Sequence, residues 1–100
     1  MELEEAAIKL EALGNPTRLA IYNSLVEAGD YGSTVGELRE YLGIPASTFS
    51  HHIARLVNAG LLTQERESRS LICRANHSNM DELMEFLVHN CCTEDWYIQS

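Results

Sequence analysis

Two groups of residues in this chain carry the means to do chemistry. The first is thiol: Cys91 and Cys92 are adjacent near the end of the sequence, and Cys73 precedes them. Consecutive Cα atoms lie about 3.8 Å apart, short of the roughly 4.4–6.8 Å of ordinary disulfides, so vicinal thiols cannot bridge each other without strain. They stay available as a thiolate pair. Trivalent arsenic or antimony takes a pyramidal site of three sulfurs, with Cys73 or a cysteine of a second chain as the third ligand, and a methylated arsenical needs only two. His89 beside the pair adds an imidazole, and zinc, cadmium and copper accept imidazole with thiolate. Oxidation or persulfidation is a further use of such thiols. Cys73 has a competing explanation as a small buried hydrophobe, because it alternates with Leu71 and Ala75 on one strand face.

The second group is hydrogen-bond donors: Ser47, Thr48, Ser50, His51 and Arg55 in one stretch, then Arg66 and Arg69. Ser and Thr hydroxyls bond phosphates or base edges, and Arg bonds a guanine bidentately or a phosphate. Taken singly, each has an ordinary structural role, such as a helix start or a solvated face. They act together only if the elements beneath them build one surface.

Apolar residues at helical spacing give a first helix over Glu4 to Leu13, stopped by Gly14. Asn15-Pro16 is a start signal for a second, with Leu19, Ile21, Tyr22, Leu25 and Val26 as its apolar face. After the turn cluster Gly29–Ser33, Ser33 or Thr34 caps a third helix ending at Gly43, and Pro45 opens a fourth that runs to Asn58. In the fourth, Phe49, Ile53, Leu56 and Val57 face inward; Ala46, Ser47, Ser50, His51, Ala54 and Arg55 face out, with Thr48 and His52 turned partly in. Leu61 to Arg66 and Ser70 to Ala75 form a hairpin with Glu67-Ser68-Arg69 at its tip. Ser78 to Asp81 has the form of a capping box for a last helix that reaches about Cys92. The fold class is thus mainly α with a small β-hairpin. Residues 1–92 form one domain, and residues 93–100, with Trp96, Tyr97 and Ile98, form a C-terminal tail.

Two helices joined by a tight turn and followed by an arginine-bearing hairpin have the layout of a winged helix-turn-helix, in which the second helix enters the major groove of DNA. The net charge of −8 opposes that reading until its distribution is considered. From Arg39 to Arg74 five arginines (39, 55, 66, 69 and 74) face only Glu40, Glu65 and Glu67, whereas the remainder holds Lys9 and Arg18 against twelve acids. At 100 residues and 45% hydrophobic content the chain has room for one domain. A domain of that size buries only about 60–65% of its unfolded surface, which favours an oligomer. No apolar run nears the ~18 residues of a membrane span, and the acidic start is unlike a signal peptide, so a cytoplasmic, membrane-free protein is expected. The sequence lacks a glycine-rich phosphate loop, paired catalytic carboxylates and a nucleophile with its base, so no enzyme is expected. A winged helix used to bind proteins is the rival suited by the overall acidity, but the outward face of the fourth helix lacks the apolar patch such a surface needs. A thiol-based metal buffer is the other.

Leu10-Glu11-Ala12-Leu13-Gly14-Asn15-Pro16-Thr17-Arg18-Leu19 and the run Ser47 to Leu62, with Ser50-His51-His52-Ile53 and Ala59-Gly60-Leu61-Leu62, resemble the ArsR/SmtB family of bacterial repressors. The resemblance runs from about Leu10 to Val88. It implies a homodimer built from the first and last helices, two recognition helices reading half-sites of a pseudopalindromic operator in double-stranded DNA, and release when a ligand or oxidant binds. It requires no cofactor for folding. Some arsenic-responsive members carry a vicinal cysteine pair near the end of the chain, as here, which implies an As(III) or Sb(III) inducer at Cys91 and Cys92. Other family sites are missing. Thr34-Val35-Gly36 stands where a Cys-Val-Cys metal site is found, and Asp81 and His89 lack the partners of the zinc site. The redox members pair a cysteine of the second helix with one near the last, and this second helix has none.

Overall fold

The computed structural model describes residues 1–91. Cys92 and the tail expected over residues 93–100, with Trp96, Tyr97 and Ile98, lie outside them. The elements run α1 (Leu3–Leu13), α2 (Pro16–Ala28), a single 3-10 turn (Gly29–Tyr31), β1 (Ser33–Thr34), α3 (Val35–Leu42), α4 (Ala46–Asn58), β2 (Leu62–Glu67), β3 (Ser70–Ala75) and α5 (His77–Cys91).

Local chemistry explains most of the boundaries. The Asn15 side chain accepts from the amides of Thr17 and Arg18 at 2.9 and 3.1 Å, and Pro16 occupies the first helical position, where a missing N–H costs nothing. Thr34 and Glu37 form a reciprocal capping box on α3, each bond 3.1 Å long. Gly43, at φ 66°, closes α3 in the left-handed region and donates its N–H to Arg39 O at 2.8 Å. Only Gly43 to Pro45 separate α3 from α4.

The hairpin is antiparallel, from Leu62 opposite Ala75 to Glu67 opposite Ser70, so Ser68 and Arg69 alone make the turn, with Ser68 at φ 59°. A third strand, absent from the expected two-stranded hairpin, pairs on the other side of β3: Ser33 stands opposite Cys73 and Thr34 opposite Ile72, giving the order β1-β3-β2. Gly32 makes this docking feasible. A Cβ there, at φ 69°, would lie 2.5 Å from the Cys73 carbonyl oxygen. The start of α5 also departs from expectation: Asn76, not Ser78, accepts the Asn79 amide at 3.2 Å, and the helix begins at His77.

The core lies under α4. Phe49, Ile53 and Leu56 pack with Ile21 and Leu25 of α2 and Leu38 of α3, and Leu61, Leu62 and Cys73 close it from the sheet. α1 joins it through Ala12 and the partly buried Leu13, and also buries Ala6 and Lys9, leaving Leu3 71% and Ile8 53% exposed, with Leu10 exposed as well. Among the described residues no helix is long and apolar enough to cross a membrane.

Candidate nucleic-acid interface

α4 presents two different faces. Its apolar residues recur at intervals of four and three and are buried, whereas Ser47, Thr48, Ser50 and His51 are all exposed, as are Ala46 and Ala54. Thr48, expected to turn partly inward, is on the outside: it sits in the first turn, ahead of the packed Phe49. No side chain caps the α4 N-terminus, so its first-turn N–H groups remain for solvent or a phosphate. The outward face is small and hydrogen-bonding throughout, a shape suited to a groove floor. Arg55 stands at the edge of this face, half-exposed, and its guanidinium is bonded to the Glu11 carboxylate of α1.

The hairpin separates its charges by face. Side chains alternate along a strand, so Leu62, Gln64 and Arg66 share the side that packs toward α4, with Cys73 and Leu71 opposite Gln64 and Arg66. A groove of about 410 Å³ runs between this side and α4, with Ser50, Ala54, Asn58 and Gln64 among its lining residues and Phe49, Ile53 and Leu71 at its base. The other side holds Arg74 between Glu67 and Glu65, at 2.9 and 3.7 Å, and Arg74 also donates to the Asp30 carbonyl at 2.8 Å. These acids push the Arg74 pKa upward, with the Glu67 hydrogen bond as the largest cause. Arg74 therefore braces the hairpin and is already neutralised. Arg66 and the tip residue Arg69 are exposed.

Behind the outward face lies a polar cluster that sequence reasoning missed. Arg18 of α2 is 8% exposed; its Nε donates to Ala12 O at 2.5 Å, its Nη2 to Glu11 O at 3.3 Å, and its Nη1 lies 3.3 Å from His52 Nδ1. Burial first, then the charges of Arg18, His51 and Arg55, hold the His52 pKa below its ordinary value. His52, unlike Thr48, does turn inward. The contacts join residues up to 44 positions apart, so no local pattern announces them; only Arg18, polar among the inward positions of an apolar helix, offered a hint.

The thiols part company. Cys73 is 0% exposed in the middle of β3, with Gln64 Nε2 at 3.5 Å, and burial pushes its pKa up. Cys91 is exposed at the last residue of α5. Among the described residues no three His, Cys, Asp or Glu side chains gather as a metal site. Of the two readings of Cys73, third ligand or small buried hydrophobe, its enclosure in the core favours the second.

A helix-turn-helix with a small, polar, exposed second helix and an arginine-tipped hairpin beside it defines a winged helix-turn-helix DNA-binding protein. Residues 13–65 match the helix-turn-helix domain family. The chain is 30% identical over 89 residues to the HTH-type transcriptional regulator YgaV of Escherichia coli, spanning 89% of this chain and 88% of that one. It is 30% identical over 91 residues to the biofilm growth-associated repressor of Xylella fastidiosa, spanning 91% and 77%. Its fold superposes with a TM-score of 0.71 on a homodimeric winged helix-turn-helix DNA-binding domain of Mycobacterium bovis, at 25% identity and covering 85% and 76% of the two chains. The chain belongs to the ArsR/SmtB family of winged helix-turn-helix transcriptional regulators. It is a DNA-binding regulator rather than an enzyme.

Proposed function

We propose that the protein is a homodimeric repressor that occupies a pseudopalindromic operator and leaves it when a soft thiophilic ligand binds at Cys91 and Cys92, the ligand being trivalent arsenic, as arsenite or methylarsenite, or antimony. In this reading Ser47, Thr48, Ser50, His51 and Arg55 meet one major groove, and Arg66 and Arg69 meet the adjacent backbone or minor groove. The exposed aliphatic residues of α1, with exposed Met84 of α5, which packs on α1, supply the dimer contact.

The observation that carries the ligand assignment is the exposure of Cys91 at the end of α5, the sequence neighbour of Cys92, while the remaining thiol is locked in the core. Two thiolates of one chain satisfy a methylarsenical, and a cysteine of the partner subunit completes a three-sulfur site for arsenite. Binding there acts on the end of a dimerisation helix and so on the spacing of the two α4 helices. The ligand shifts the equilibrium only by its differential affinity for the two dimer geometries. A coupling of about 1–3 kcal/mol weakens operator binding about 5- to 150-fold.

The test is fluorescence anisotropy of the reduced protein on a palindrome from its own promoter, titrated with arsenite, a trivalent methylarsenical, zinc and a persulfide donor. Release by the arsenicals, lost in Cys91→Ser with DNA affinity retained, is the expected result. Full inducibility of Cys91→Ser overturns the ligand site, and release by the persulfide donor alone reassigns the pair to thiol oxidation.

A further inference from the structure

The buried face of α4 carries a device of its own. The guanidinium of Arg18 is nearly sealed from solvent, which is costly unless its N–H groups find acceptors. Two of them bond Ala12 O and Glu11 O, carbonyls of the last turn of α1, the second of which also accepts the Gly14 N–H at 3.3 Å. The third direction meets His52 Nδ1 on α4 at 3.3 Å. Guanidinium can only donate, so Nδ1 accepts and the imidazole proton resides on Nε2. One turn further along α4, Arg55 bonds the Glu11 carboxylate, so the same turn of α1 grips α4 twice. His51, adjacent to His52, is exposed.

We propose that Arg18 is a positioning residue for DNA recognition: bound to the end of α1 and to His52 Nδ1, it fixes the angle at which α4 presents its outward face, with Glu11 and Arg55 as a second tie. The proposal rests on reading α4 as the recognition helix. It follows that the orientation of α4 is referred to α1, which carries exposed aliphatic residues, as well as to the hairpin it packs against.

A proton on Nδ1 breaks the tie. The imidazolium then faces Arg18 of α2, with His51 and Arg55 of α4 nearby, and the cluster's one carboxylate, Glu11 of α1, is already engaged with Arg55. Acidification should therefore weaken sequence-specific binding, although added positive charge by itself strengthens the attraction to phosphates. The sign separates positioning from plain electrostatics.

The experiment uses a labelled duplex selected from a random-sequence pool by the wild-type protein, with a scrambled duplex alongside, each titrated in steps downward from about pH 7.5 and past the usual imidazole range, because the His52 pKa is lowered. His52→Asn keeps an acceptor where Nδ1 stood, and His52→Leu removes it. The expected result is that His52→Asn binds the selected duplex as the wild type does, while His52→Leu loses about tenfold there and nothing on the scrambled duplex. The wild type weakens on acidification and His52→Asn does not. Equal losses in both variants overturn the proposal, because they place His52 itself on DNA, and so does a wild type that tightens in acid as His52→Asn does. The acid titration of the wild type needs no substitution and stands even if His52→Leu misfolds. A wild type that never distinguishes selected from scrambled DNA overturns the reading of α4 and the proposal with it.

Discussion

α1 and α4 are both amphipathic helices that bury one stripe in the same core, and they differ in what they leave outside. α4 packs with large residues, Phe49, Ile53 and Leu56, and exposes Ser, Thr, His and Ala. α1 packs with Ala6 and Ala12 and exposes Leu3, Ile8 and Leu10. The inversion is physically meaningful. A surface that meets a hydrated polyanion needs donors and low bulk, whereas several aliphatic side chains exposed on one helix make a patch suited to another apolar surface. In the proposed function the first surface meets nucleic acid and the second a second copy of the chain, and the ties through Arg18 and Glu11 run between them.

Giving α1 the polarity of α4 should have the largest effect. Ile8→Glu places a charge where the partner subunit is expected, and loss of two-site engagement lowers operator affinity by about 100-fold or more; sedimentation velocity shows a monomer, and an unchanged dimer would locate the interface elsewhere. The converse exchange, Ala54→Leu, puts bulk on the outward face of α4 without touching the core. It should cost about 1–3 kcal/mol of discrimination, about 5- to 150-fold on a selected duplex, with the dimer intact. Wild-type affinity for Ala54→Leu would remove that face from the groove. Smallest is Arg66→Ala, which should weaken binding to all sequences by a few fold and reduce the slope of log K against log salt by about one, whereas Arg74→Ala leaves that slope alone because its charge is already spent on Glu65 and Glu67. Equal slopes for the two arginine variants would erase the distinction between the hairpin's faces.

Much of the fold is legible in short stretches because caps and turns are local chemistry. Asn15-Pro16, Thr34 with Glu37, and Gly43 each mark a boundary by satisfying or ending a few backbone groups. β1 escapes because two residues show no periodicity and their pairing depends on β3, about forty positions away. Ser78 misleads for a related reason: a capping pattern matches there, but Asn76 reaches the free amides first. Counting charge along Arg39 to Arg74 overstates the free positive charge of that stretch, since strand pleating sends Arg74 to the acidic side and the fold brings Glu11 to Arg55. The candidate contact residues of α4 follow from helical period alone; Arg18 and His52 are joined only once three helices have packed.

The acid-walled outer side of the hairpin also bears on how the protein arrives at DNA. With a net charge of −8 the chain as a whole is repelled by the duplex, and in the proposed function the face holding α4, Arg66 and Arg69 is the one that docks. The molecule is an electric dipole as well as an anion, so it must rotate before it docks, and productive collisions are few but well oriented. Salt screens the repulsion and the torque together. The association rate should therefore respond weakly to ionic strength, leaving the residence time on DNA to carry most of the salt dependence.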